Sequence, residues 1–440
     1  MNRDTRISLD AAAIGATLDD LAEIGNRFCG SHGEAEARSY VLERFQEAGL
    51  ADVRLEEFPY LAWMPAPAWC VASEAGGART STYEAHPLQY TAPGPVSGEA
   101  IYIGGAEPED FARLDAAGVD LAGKVVVAHS VFPFDLVALL TDRGIAGMVH
   151  VCETPDGIVG NFTGALYRPP LAPPWEGRPL PYAGVTIGHL AARGLISSLT
   201  CGATVELSIG HEGSCTPATT ANVVGVIPGR GEEEVVLSAH YDSQAEGPCV
   251  YDNGSGLSSL IETARMLRDL QPERRIVLVA SAAEEIGVWG ATAYVDAHRE
   301  ELARAVAMIN LDGLASAYPA QREVWSIHGG LLSMAVQTGA ELGWHADHAY
   351  HRRSTFSDHA PYGDAGVPSV LCWRPDYPYY HSRGDVRELV DEAAVAQTGS
   401  VSATMAARLA LGADLPEGEW AHPPAHPPAA GTQPVAEASA

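Results

Sequence analysis

Apolar and polar residues alternate along this chain with two different periods, and the change of period marks out its parts. Between residues 10 and 49 apolar positions recur at helical spacing (Leu18, Leu21, Ile24, then Tyr40, Val41, Phe45), interrupted by Gly30-Ser31-His32-Gly33. Two amphipathic helices joined by a turn follow. A short strand, Val53 to Phe58, comes next. From about residue 86 to 212 the pattern is one of short apolar runs bounded by Gly and Pro: Ala100-Ile101-Tyr102-Ile103, Lys124 to Ala128, Gly147 to Val151 and Val205 to Ile209. These read as strands of a small, separate β-rich unit with a helix between them. After residue 216 strands and helices alternate: Glu234 to Ala239, helix Leu257 to Leu270, strand Arg275 to Ser281, helix Tyr294 to Ala305, strand Val306 to Leu311 and strand Pro368 to Trp373. Such alternation predicts an α/β fold, a mostly parallel central sheet with helices on both faces and a ligand site at the carboxyl ends of its strands. The first segment belongs with this sheet, so the expected organisation is a discontinuous domain of residues 1–85 and 213–412, carrying residues 86–212 as an insertion. From Ala413 the chain is rich in Pro and Ala without periodicity, and 413–440 is expected to be a disordered tail.

Composition narrows the partners. The 440 residues carry 27 basic against 56 acidic side chains, a formal net charge of −29. Such a surface repels phosphate backbones and anionic headgroups, which argues against nucleic-acid or membrane-surface binding and leaves neutral or cationic small ligands. No apolar run approaches the roughly 18 residues needed to cross a bilayer. The N-terminal stretch lacks the pattern of a secretion signal, and the seven cysteines are odd in number, scattered and without a CxxC pair. A cytoplasmic protein with reduced thiols is the expectation.

The candidate chemistry sits at the ends of the predicted strands. Val235-Val236-Leu237 runs into Ser238-Ala239-His240-Tyr241-Asp242-Ser243, in which strand alternation puts His240 and Asp242 on one side. Alone, such a pair is most often a structural hydrogen bond. The next loop, Tyr251-Asp252-Asn253-Gly254-Ser255-Gly256, reads equally well as a helix-capping turn. Glu284-Glu285 after the second strand is harder to dismiss, because adjacent acids at a buried strand end are costly without a positive group nearby. The third strand ends in Asn310-Leu311-Asp312-Gly313, and a late segment reads Tyr379-Tyr380-His381-Ser382. Two imidazoles and three carboxylates, without thiolate, suit two divalent ions of the zinc, cobalt or manganese type. A pair of such ions clamps a water and polarises a carbonyl.

The runs HYDS, DNGSG, AAEE, NLDG and YYH, in this order, together with SDHAPY at 357–362, resemble the M28 family of di-zinc metallopeptidases over residues 10–60 and 216–411. The inserted unit, in LAGKVVVA and RGIAGMVHV, is similar to the protease-associated domain that many members carry. The resemblance implies two Zn2+ (Co2+ or Mn2+ as substitutes), His240 and Asp312 holding one, Glu285 and His381 the other, and Asp252 bridging both. It further implies Glu284 as general base, Asp242 as the residue orienting His240, and the inserted unit over the mouth of the site. Tyr380, beside His381, is a candidate donor to the carbonyl oxygen, weighed against a plain packing aromatic.

The implied reaction is hydrolysis of a peptide or amide bond, with an aminopeptidase acting on short peptides as the first reading. Arg352, Arg353 and Arg374, with Asp358, are candidate substrate contacts. An arginine there would clamp a substrate carboxylate and favour a dipeptidase, a carboxypeptidase-like enzyme or an N-acyl amino acid amidohydrolase. Solvated or salt-bridged arginines are the plainer reading. A glutaminyl cyclase shares the fold but would hold one ion; a non-catalytic binding protein would have lost ligands, and all five are present. Oligomeric state is not legible in these patterns.

Overall fold

The computed structural model describes residues 5–74, 79–129, 139–152, 154, 159, 180–318, 321–354, 356–375 and 377–422. Its strands, in chain order, are β1 (Ala51–Met64), β2 (Ala68–Glu74), β3 (Thr80–Tyr83), β4 (Ala85–Pro87), β5 (Gly94–Tyr102), β6 (Val125–Ala128), β7 (Gly147–Val151) and β8 (Ala183–Ile187). There follow β9 (Val205–His211), β10 (Ser214–Ile227), β11 (Glu234–His240), β12 (Arg275–Ser281), β13 (Ala305–Asn310), β14 (Glu323–Ser326), β15 (His348–His351) and β16 (Ser369–Trp373). They form two eight-stranded sheets, ordered β1-β10-β12-β11-β13-β16-β14-β15 and β3-β2-β9-β5-β6-β7-β8-β4.

The first sheet is parallel where it matters for the site. β12, β11, β13 and β16 run side by side in one direction, so their carboxyl ends open onto one edge. Alternation along β11 explains why both faces are covered. Val235, Leu237 and Ala239 face a core built with Ile14, Leu18, Leu257, Leu260, Val401 and Met405 from the helices Ala11–Ile24, Gly256–Leu267 and Glu392–Ala410. Val236 points the other way, to a core with Tyr294 and Tyr362 from Trp289–Ala297 and His359–Asp364. A strand buried on both faces reads as a continuous apolar run, which is how EVVLSAH presents itself.

β1 and β10 differ most from the sequence expectation. Rather than a strand ending at Phe58, β1 continues to Met64 and pairs antiparallel with β10 from Ala51↔Val226 to Met64↔Ser214. Pro59 is accommodated because β1 lies at the sheet's edge, where a missing N–H costs no ladder bond. This two-stranded stem leads directly into β2 and returns from β9, so the second sheet begins at Ala68 rather than near residue 86. That sheet also has two faces: Val125, Val127, Val149 and Val151 pack with Ala192 and Leu195 of the helix His189–Thr200, and Val126, Ala128 and Met148 with Phe111 and Leu114 of Pro108–Ala116.

Smaller departures have local causes. The helix expected over 294–305 is Trp289–Ala297 followed by the short Arg299–Leu302, because His298 leaves helical geometry (φ −115°, ψ 28°). β14, β15 and the helix Gly329–Glu341 between them were not anticipated. The start of the expected tail packs against the first domain: Gly329 donates to the Glu419 carbonyl at 2.9 Å, Ala421 to that of Ile327 at 2.8 Å, and Trp420 packs edge-on against His328. Gly330 makes this approach feasible, since a Cβ there would stand 1.8 Å from the Pro416 carbonyl oxygen. Residues 423–440 of the expected tail lie outside the described residues. Among the described residues no disulfide joins any of the seven cysteines, and no helix is long and apolar enough to cross a membrane.

Candidate metal centre

His240 is the last residue of β11, in register with Ser281, the last of β12. Neighbouring strands lie about 4.8 Å apart, so residues just past the ends of β11, β12 and β13 must gather. Asp252 comes from the loop between β11 and the helix Gly256–Leu267, Glu284 and Glu285 from the turn after β12, and Asp312 from the turn after β13. His381 comes from the loop after β16 and takes a left-handed backbone (φ 56°).

These side chains meet around Asp252. Its Oδ1 lies 3.2 Å from His240 Nε2 and its Oδ2 3.0 Å from His381 Nε2. On one side Asp312 Oδ1 is 3.6 Å from His240 Nε2; on the other Glu285 Oε2 is 3.3 Å from His381 Nε2. The outcome is two triads, His240–Asp252–Asp312 and Asp252–Glu285–His381, each with its ligating atoms within 4.8 Å of one another and with Asp252 common to both. Glu284, its side chain 13% exposed, places Oε2 3.9 Å from His240 Nε2.

The electrostatics of the cluster ask for cations. Burial pushes Glu284 and Glu285 well above the usual carboxylate range; Asp312 adds to this at Glu284 and Asp252 at Glu285. Asp252 is held below its usual range, because its burial is outweighed by the close approach of the His240 and His381 imidazoles. His240 is raised, the charges of Glu284 and the surrounding aspartates overcoming desolvation. His240 Nε2, Asp252 Oδ2 and Glu285 Oε1 are buried without a hydrogen-bond partner among the described residues. Polar atoms in that state are costly unless something coordinates them. A nitrogen-and-oxygen donor set with orphaned, inward-facing ligand atoms fits divalent metal.

Supporting hydrogen bonds orient the cluster. His240 Nδ1 donates to the Asp242 carbonyl at 3.2 Å, which leaves the Nε2 lone pair free to face the centre. The Asp242 carboxylate, 3.6 Å from that Nδ1, also accepts from the backbone N–H groups of Glu284 and Glu285 at 3.1 and 3.2 Å. Asp242 therefore ties the β12 turn to the β11 end as well as facing His240. Three further residues had not been singled out, and a fourth, Ser357, had been named only as the start of SDHAPY. Asp385 accepts from the N–H groups of Tyr251 and Asp252 at 2.8 and 3.0 Å, and burial among these groups pushes its carboxyl up to about 8. Gln244 Nε2 donates to Glu285 Oε2 at 2.7 Å. Arg27, fully buried, donates to the carbonyls of Tyr241, Pro248 and Cys249 and so shapes the loop before Asp252. The Ser357 hydroxyl donates to Asp312 in a very short contact and accepts from Asn310 Nδ2 at 2.6 Å. Asp385 and Gln244 lie within four residues of His381 and His240 in sequence, the one signal that could have flagged them; Arg27 has none.

Tyr380 stacks on His381 with ring centroids 3.6 Å apart and is 40% exposed. Arg352 lies 3.4 Å over the Trp325 ring, and Arg353 pairs with Asp364 at 2.9 Å. Asp358 is fully buried beneath the site, accepting from Ser238 at 3.1 Å and from Ser281 in a very short contact, and burial raises it to about 6. Arg374 accepts the Tyr251 hydroxyl at its carbonyl (2.7 Å), while its Nε has no hydrogen-bond partner among the described residues.

Residues 222–406, which hold the whole cluster, match peptidase family M28. Over that stretch the chain is similar to the M28 peptidases. Aminopeptidase YwaD of Bacillus subtilis is 30% identical over 201 residues, 42% of this chain and 44% of that protein. The probable glutamate carboxypeptidase VP8 of Zea mays is 26% identical over 85% of this chain and 62% of its own length. The chain thus spans less than two thirds of either relative. Among solved structures, BSAP, a zinc aminopeptidase from Bacillus subtilis, superimposes with a TM-score of 0.68 at 20% identity, covering 91% of this chain and 95% of that one. The fold similarity therefore extends beyond the residues matched to M28 and into the second sheet.

Proposed function

We propose that the chain is a two-zinc aminopeptidase that removes N-terminal residues from short peptides. The observation that carries this reading is the sharing of Asp252 between the two triads. A single carboxylate reaching two imidazoles from its two oxygens is the arrangement that a pair of metal ions needs and a lone ion does not. His240 and Asp312 would hold one ion, Glu285 and His381 the other, with Asp252 common; when bound, they supply Lewis acidity and an acidified water. The match to family M28 and the relatives named aminopeptidases support the reaction class.

The chain's own residues do the remaining work. Glu284 Oε2, beside the cluster and partly open to solvent, takes the proton of the attacking water and returns it to the departing amine. Asp242, gripping the backbone N–H groups of both glutamates, prevents Glu284 from swinging onto a metal position. Tyr380, exposed yet fixed by its stack on His381, offers its hydroxyl to the carbonyl oxygen as negative charge develops there. A second reading, recognition of a substrate carboxylate, rests on the uncommitted Nε of Arg374. The pairing of Arg353 with Asp364 and the stacking of Arg352 on Trp325 leave those two side chains already engaged.

Purified protein loaded with zinc should bind two ions per chain and release the chromophore from aminoacyl anilides, with activity abolished by a chelator. Cleavage of N-acylated dipeptides in preference to free-amine substrates would replace the aminopeptidase reading with the carboxylate-clamping one. Binding of a single ion would remove the two-metal reading.

A further inference from the structure

Among the described residues a buried route joins the second sheet to the metal cluster. Just after β4, Gln89 donates from Nε2 to Gln244 Oε1 at 3.1 Å, and Gln244 donates in turn from Nε2 to Glu285 Oε2 at 2.7 Å. Both glutamines are buried. Their backbones are anchored on each side: Leu88 donates to the Gly184 carbonyl of β8 at 3.0 Å, the Tyr90 hydroxyl to that of Leu61 in β1 at 2.6 Å, and Asn26 Nδ2 to that of Gln244 at 2.6 Å. Two ion pairs brace the same junction, His86 with Glu246 and Arg383 with Glu84, each at 3.0 Å.

The polarity of this relay is forced. Once Glu285 ligates a cation it is ionised and only accepts, so Gln244 must turn its NH2 toward it. The Gln244 carbonyl then faces Gln89, which must present its own NH2. Gln89 does so although its Oε1 is left buried without a hydrogen-bond partner among the described residues. Packing alone would not demand that orientation at such a cost.

We infer that Gln89, through Gln244, is a positioning residue for Glu285, so that the second sheet sets the affinity of the ion on the Glu285–His381 side. The inference rests on the two-metal reading above. Residues that orient a ligand from behind commonly change metal affinity by about 10–100-fold.

The test reads zinc per chain by elemental analysis after equilibration with graded chelator, on the full-length protein. Q89E reverses the relay: its carboxylate demands a donor, Gln244 turns over, and the Gln244 carbonyl oxygen then faces Glu285. One of the two ions should leave at about 10–100-fold lower chelator than in wild type. Q89L removes the donor without reversing the relay and should fall between wild type and Q89E. Zinc retention equal to wild type in Q89E, or equal loss in Q89L and Q89E, overturns the relay. If Q89E does not fold, Q89L is compared with wild type alone, and unchanged retention overturns the relay. Wild-type protein that holds fewer than two ions would instead unseat the two-metal reading itself, so the two failures are distinguishable.

Discussion

Glu284 and Glu285 are neighbours in sequence with opposite assignments, and the structure offers a physical reason. Glu285 is buried and bound by Gln244, whereas Glu284 is the more open of the two and lies 3.9 Å from the nearest imidazole nitrogen. E284Q should leave two zinc ions in place and lower kcat by about 10²–10⁴-fold, the usual worth of a positioned proton acceptor; turnover equal to wild type refutes the assignment. Asp385 acts one step further out. D385A strips two buried N–H groups, those of Tyr251 and Asp252, of their acceptor. The Asp252 backbone should loosen, and zinc affinity should fall by about 10–100-fold, measured by chelator competition. Unaltered affinity would make Asp385 a residue of folding only. The sequence brought the five side chains forward because His240, Glu285 and Asp312 end or closely follow apolar strands, while Asp252 and His381 stood out through the short runs DNGSG and YYH that resemble family M28. It did not show Arg27 or Asp385, whose role is to fill hydrogen bonds that exist only once the loops are folded.

Elements show the same division. β11 and β12 were legible because burial on both faces makes them unbroken apolar runs, and their bounds agree with the pattern to within a residue. The β1–β10 stem was not, because exposed and buried positions mix along both strands without a clean alternation, and its stability comes from long-range pairing. The second sheet carries its own pH sensitivity. Burial pushes the imidazole of His150 down to about 3 and that of His211 down to about 4. His211 is committed as a neutral ring, accepting from Gly213 N at Nδ1 (3.0 Å) and facing the Thr91 hydroxyl at Nε2 (2.8 Å). Both rings charge near 6.5 once unfolded, so the unfolded chain binds more protons below that pH and stability falls as the medium is acidified. At pH 5 each contributes a loss of about 2 kcal/mol, from about 1.5 pH units below the unfolded value. Thermal melting followed by circular dichroism should shift downward between pH 7 and 5, and less so in H211N. A flat melting temperature over that range would mean that the rings are already protonated or open to water.

For the molecule as a whole, net charge is the property most plainly written in the sequence and the one least visible in any single contact. A charge of −29 is spread over 440 residues, while the cluster itself approaches neutrality when two dications sit among its carboxylates. The surrounding field should therefore act on substrates before they dock. A free N-terminal amine is cationic and is drawn toward an acidic protein; an N-acylated analogue is not. Raising ionic strength from about 20 mM to about 500 mM shrinks the screening length from roughly 20 Å to roughly 4 Å, which removes attraction at a distance and spares contacts inside a buried site. The expected outcome is a severalfold fall in kcat/KM for aminoacyl anilides with little change in kcat, since association is affected and the chemical step is not. A free-amine peptide that already carries an acidic side chain should show a weaker salt response. Salt-independent kcat/KM for cationic substrates would confine recognition of the amine to the short-range carboxylates around Asp252, and the acidic surface would then serve solubility rather than substrate capture.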